Sequence, residues 1–161
     1  MKPWILLFLA LPVLADDIQI TGNVQSKCVI QTSTAGVYGN PSANKLSTLR
    51  ADGGVEPIIR YDVSLANAYI AKITTPTSFS QSPSLSDVVS WTGSSSVSEV
   101  SVAAMSDYET NKLVYGQTTQ FDLHTAGSTW FKVSSTASYG VNKAFPGGTY
   151  RAVVNAECIA K

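Results

Sequence analysis

Short runs of alternating apolar and polar residues recur along most of the chain. Residues 55–66 (VEPIIRYDVSLA) and 68–75 (AYIAKITT) are rich in Ile, Val and Tyr. SDVVSW, VSEVSVAAM, KLVYG, QTTQFDLHT and TWFKVSS continue the series, and residues 148–159 (GTYRAVVNAECI) close it. A two-residue period places apolar side chains on one face of a strand. No long 3.6-residue period competes with it. STAGVYGNPSAN, TPTSFSQSPS, TGSSS and FPGG separate the runs and read as loops from their Gly, Pro and Ser content. Residues 103–112 (AAMSDYETNK) have room for one helical turn. Many short strands without intervening helices predict an all-β fold, a sandwich or a barrel.

Parity sharpens the two ends. In the last run Tyr150, Ala152, Val154, Ala156 and Cys158 share the more apolar face, which is expected to point into the core. Near the N-terminus Ile18, Ile20, Gly22 and Val24 share a face. Cys28 and Ile30 continue it if no bulge intervenes around residues 25–27. Both sulfurs then point inward.

Residues 1–15 read as a signal peptide: Lys2 as a short positive region, an apolar run from Trp4 to Leu14, and Ala15 at the cleavage position. The run is too short to span a bilayer. The mature chain then starts near Asp16, with residues 16–26 as an extension and 27–161 as one domain. Export favours pairing of the two cysteines, Cys28 and Cys158, over two separate thiols. A bridge closing so long a loop is worth at most ~5 kcal/mol.

Charge narrows the partners. The 11 basic and 11 acidic residues are scattered, with no basic run, so no nucleic-acid partner is expected. Catalytic chemistry finds no support. His124 is the single histidine, so a zinc site or a triad lacks the partner types it needs, and it reads as an ordinary strand residue. Asp107 and Glu109 are the nearest carboxylate pair after Asp16 and Asp17, and a solvated loop accounts for them as well as a glycosidase pair does. Trp91, Trp130, Phe131 and Tyr150 are candidates for a sugar-binding face, although such residues more often fill a sandwich core. No enzyme, metal or small-molecule cofactor is expected.

The segment IQITGNVQSKC (18–28) resembles the mature N-terminus of fimbrial subunits assembled by the chaperone–usher pathway. There, alternating hydrophobics lead to Gly, one residue, a Val or Ile, and then Cys. The segment ITGNV is also similar to the start of a class of cysteine-free pilins and of the spore coat protein U family. PGGTYRAVV (146–154) resembles the last pilin strand and its Pro/Gly turn. Together these ends cover about a sixth of the chain. Two departures stand out. Pilins commonly pair the first Cys with one some forty residues on, whereas Cys158 is the sole partner here, and Ala160 stands where many pilins carry Tyr.

The resemblance implies an immunoglobulin-like sandwich of the pilin type, incomplete by one strand. It implies a periplasmic chaperone, an outer-membrane usher and other pilus subunits as partners, and a cell-surface fimbria as the destination. A groove left by the missing strand is filled by a neighbour's extension through β-strand addition. Ile18, Ile20, Gly22 and Val24 are then the donor strand, and Tyr150 and Val154 belong to the acceptor groove. The alternative reading is a self-contained periplasmic or secreted sandwich that binds a carbohydrate or a protein. A secreted hydrolase is the third reading, and the weakest.

Overall fold

A computed structural model describes residue 21 and residues 27–161. The expected signal peptide and the donor positions Ile18, Ile20, Gly22 and Val24 lie outside the described residues. The domain is all-β, built from two antiparallel sheets packed face to face.

The first sheet contains β1 (Cys28–Thr34), β2 (Gly39–Ser42), β3 (Lys45–Ser47), β4 (Ile58–Val63), β6 (Val89–Val100) and β9 (Gly127–Tyr139). The long strand β9 organises it. One side of β9 pairs first with β4 and further along with β3, while the other side pairs with β6 over nearly its whole length. β1 lies outside β4 and forms the edge. The second sheet has the order β10–β5–β8–β7, with β5 at Tyr69–Thr74, β7 at Leu113–Tyr115, β8 at Thr118–Leu123 and β10 at Asn155–Ala160. Short 3-10 turns occur at Arg50–Asp52 and Ala103–Met105.

The expected two-residue period is strictest in the central strands. Ile59, Tyr61 and Val63 on β4 are buried and alternate with half-buried neighbours, and β5, β8 and β9 do the same. Their inward faces meet as the core. The Tyr61 ring stands edge-on to Phe131 with centroids 5.4 Å apart, and Phe121 lies 4.3 Å from Phe131. Each such side chain contributes ~1.5–3 kcal/mol by leaving water.

Two expected loops are structured. TGSSS lies inside β6, a continuous strand of 12 residues. Its serines bond across the ladder: Ser94 Oγ and Ser134 Oγ are 2.8 Å apart, and Ser95 is buried. Gly93 is needed there, since a Cβ would fall 2.8 Å from both the Ser134 carbonyl oxygen and the Thr75 side chain. The stretch 33–44 carries the β2 strand of a β2–β3 hairpin. The helical turn expected within 103–112 occurs as the 3-10 turn at its start.

Candidate functional site: an open cleft between the first and last strands

The site begins with a contrast in burial. The core-facing residues of β4, β5, β8 and β9 are closed over. Those of β1 and β10 are only half-buried, although Cys28, Ile30, Val154, Ala156 and Cys158 all pack against the core. β1 and β10 are edge strands of opposite sheets and flank the same side of the sandwich. The disulfide between Cys28 and Cys158 joins them, with Cα atoms 6.4 Å apart. Both sulfurs thus point inward, as parity expects.

Away from the disulfide the strands are separated by a cleft. Its first section, of about 280 Å3, lies between Thr32 and Ala35 on one wall and Ala152 and Val154 on the other, over a floor that includes Ile59 and Ser135. A second section of about 680 Å3 continues past Gly36 and Tyr38 to Tyr150 and Gly148. Gly36, Tyr38, Ala152 and Val153 line both sections, so the two form one groove.

The walls carry backbone groups as well as apolar side chains. Ser64 N–H donates to the Lys27 carbonyl at 3.1 Å, which marks Lys27 and Ser64 as a hydrogen-bonded pair. Alternation then turns the N–H and C=O of Val29 and Gln31 toward β4, and those of Cys28, Ile30 and Thr32 outward. On β10, Lys161 N–H donates to the Ala68 carbonyl at 2.9 Å. By the same alternation Ala156, Cys158 and Ala160 present their backbone groups away from β5. Upstream, Arg151 pairs its backbone with Gln81, and the ladder with β5 begins only at Asn155. Among the described residues, these two strand edges have no partner strand and flank an apolar floor.

Three tyrosines hold this frame. Tyr61 crosses the sandwich from β4 and donates to the Glu157 carbonyl at 3.2 Å and the Lys72 carbonyl at 3.4 Å, so it ties β10 and β5 to the first sheet. Burial, with the Glu157 charge adding to it, pushes its phenol well above the ordinary range and keeps it a donor. Tyr38 meets the Ser135 hydroxyl at 2.9 Å, and burial raises its phenol too. Tyr150 donates to the Pro146 carbonyl at 2.7 Å and stands edge-on to Phe79 and Phe145. That bond locks the FPGG turn onto the mouth of the groove.

The structure thus brings Tyr150 and Val154 to one groove, and with them the opposite wall of Thr32, Gly36 and Tyr38. That wall lacked a sequence signal because it lies in a segment whose Gly and Ser content reads as loop. The parity of Cys28 and Ile30, extended one step, leads to Thr32 and would have found its beginning.

The other candidates go elsewhere. His124 Nε2 lies 3.0 Å from Asp107 Oδ1, and its Nδ1 lies 2.9 Å from the hydroxyl of the adjacent Thr125. Asn111 also donates to Asp107, at 3.0 Å. Glu109 takes the Val97 N–H at 2.8 Å and pairs with Lys112, so the two carboxylates serve different contacts. Phe131 is in the core. Trp91 packs on Phe79, and the Arg60 guanidinium lies 5.0 Å over the Trp130 ring. Among the described residues no group of His, Cys, Asp and Glu could hold a metal ion, and no helix is long and apolar enough to cross a membrane. No protein-family model, curated protein or solved structure matches the chain, so the reading of the groove rests on its own geometry.

Proposed function

We propose that the chain is a structural subunit of a surface fimbria, joined to its neighbours by donor-strand complementation. The observation that carries this reading is the groove itself. Away from the disulfide, Thr32 on one wall and Val154 on the other turn backbone groups into the cleft if the alternation of β1 and β10 continues, and the apolar floor between them lies open. An extended segment laid there gains ladder hydrogen bonds on both sides and buries alternate side chains. An exposed edge of this kind is otherwise an aggregation hazard, which is the reason a periplasmic chaperone would hold the subunit before assembly.

The residues 18–24 suit the role. Seven residues of strand extend about 20 Å, and the wall from Gly148 to Val154 is also seven residues. In an extended strand Ile18, Ile20 and Val24 would share one face by parity, and each such side chain, once buried, is worth ~1.5–3 kcal/mol. Gly22 allows close backbone approach.

Where the extension starts fixes how subunits stack. It leaves the domain at the disulfide end of β1, and a three-residue link (25–27) reaches about 10 Å at most. A donor that enters the neighbour's groove at the Tyr150 end and runs toward its disulfide stacks unlike ends, and the chain of contacts stays open. That donor lies antiparallel to β10. The opposite polarity would bring two disulfide ends together and close the assembly as a dimer. A polymer therefore places Val24 near Tyr150 and Ile18 toward Cys158.

The test is assembly of the exported chain. Ladders resistant to SDS are expected from the wild type and should collapse in Ile20→Asp. A wild type that stays monomeric at high concentration, or an Ile20→Asp chain that polymerises unchanged, would reject the reading.

A further inference from the structure

The two long sides of the sandwich are finished differently. On the side opposite the groove, β6 has no further partner strand among the described residues and forms the edge of the first sheet. Ser94 meets the Ser134 hydroxyl through both its N–H, at 3.1 Å, and its carbonyl, at 3.4 Å, so it faces β9. Its odd-numbered neighbours therefore turn their backbone groups outward. Those groups are met by side chains. Gln117 Nε2 donates to the Trp91 carbonyl at 3.3 Å, Lys112 Nζ donates to the Ser95 carbonyl at 3.1 Å, and the Val97 N–H donates to Glu109 Oε2 at 2.8 Å. Glu109 and Lys112 also pair with each other, which fixes both caps. All three side chains come from one segment, which leads through β7 into the turn before β8.

β6 needs such cover. It is 12 residues long, contains no proline, and carries a single charge at Glu99. A long strand edge of low charge is the kind that templates pairing with a further strand. An antiparallel edge is also complementary to itself about a twofold axis, and between Thr92 and Ser98 its side chains are all small or β-branched and oppose no close approach.

We infer that residues 109–117 are a stopper whose role is to deny the β6 edge to the β6 strand of a second copy of this chain. Glu109 and Lys112 occupy the acceptor and donor positions a partner strand would use, and they present charge to any strand that approaches. The inference concerns the edge away from the groove and does not depend on what fills the groove.

The experiment compares the full wild-type chain with the triple variant Glu109→Gln, Lys112→Met, Gln117→Leu by sedimentation velocity. Both are measured with and without excess free peptide of residues 16–26, the proposed groove ligand, so that failure of the groove reading leaves the comparison of the two chains intact. The variant is expected to show at least tenfold more dimer and larger species than the wild type, and the further substitution Ser96→Lys should return it to monomer by setting like charges across the new pair. A variant whose distribution matches the wild type overturns the inference. If the triple variant does not fold, Glu109→Ala alone is read by hydrogen exchange and sedimentation together. Exchange at the Val97 amide at least tenfold faster, with association that grows with concentration, supports the stopper. Unchanged exchange, or faster exchange without association, overturns it.

Discussion

Cys28 and Cys158 hold the first and last strands together across the open side of the sandwich, with their Cα atoms 6.4 Å apart and 130 residues of chain between them. The bridge closes one end of the groove and leaves the other end to Tyr150. Loss of the bridge by Cys28→Ser, Cys158→Ser is expected to cost about 2–4 kcal/mol. The fall in the urea midpoint measures it, and an unchanged midpoint would mean that β1 and β10 are fixed by other contacts.

Tyr61 is the second tie between the sheets. In Tyr61→Phe the Glu157 and Lys72 carbonyls lose a buried donor, and about 1–2 kcal/mol should be lost. Because the folded phenol titrates above its unfolded value, its contribution is complete below pH ~10 and fades as pH rises above that. Wild-type stability should therefore decline in the alkaline range, and the decline should be smaller in Tyr61→Phe. Equal slopes above pH 10 would contradict the assignment.

Lys45 lies 2.8 Å from the Asp52 carboxylate, and this bond, with help from Ser47, holds the carboxyl below its usual range. The sign is opposite to that of Tyr61. The stabilisation is present above the unfolded carboxylate range and is lost as pH falls through the folded value. Lys45→Met should be less stable than wild type at pH 7, with the gap closing toward pH 2. A gap that widens on acidification would be inconsistent with this pairing.

If the chain assembles as proposed, a substitution at Val154 should affect association more than folding. It is half-buried at the groove wall, so Val154→Asp should lower domain stability by only about 1 kcal/mol. Under a bound strand the same carboxylate would be desolvated without a partner. Association measured by light scattering should weaken at least a hundredfold, equivalent to about 3 kcal/mol. A variant that assembles normally would remove Val154 from the contact.

The sequence was readable wherever a strand finds its partner inside the domain and shows one face to water. β4, β5 and β8 followed their two-residue period closely. β6 was misread at TGSSS because it is held by pairing with β9, including Ser134, which is remote in sequence, and because Gly93 is required there by close packing against Thr75 and not by a turn. The last run was expected as one strand over 148–159, yet its ladder begins at Asn155. Its apolar pattern upstream, at Ala152 and Val154, is real but faces the groove instead of a neighbouring strand of this domain. Alternation records that a face is meant to be covered, and it does not record which molecule covers it. For that reason Tyr150 and Val154 could be placed on one apolar face from the sequence, while Thr32, Gly36 and Tyr38 gave no sign of the cleft they line.

Hydrogen exchange, residue by residue, tests the groove most directly. The chain carrying Ile20→Asp, whose own extension is disarmed, is mixed with excess peptide of residues 16–26. A strand bound in the cleft between the first and last strands should protect the amides of Thr32 and Val154, which line it. It should leave Val29 and Glu157, which already face β4 and β5, nearly unchanged. Protection without this alternation, or no protection at Thr32 and Val154 at saturating peptide, would contradict the account.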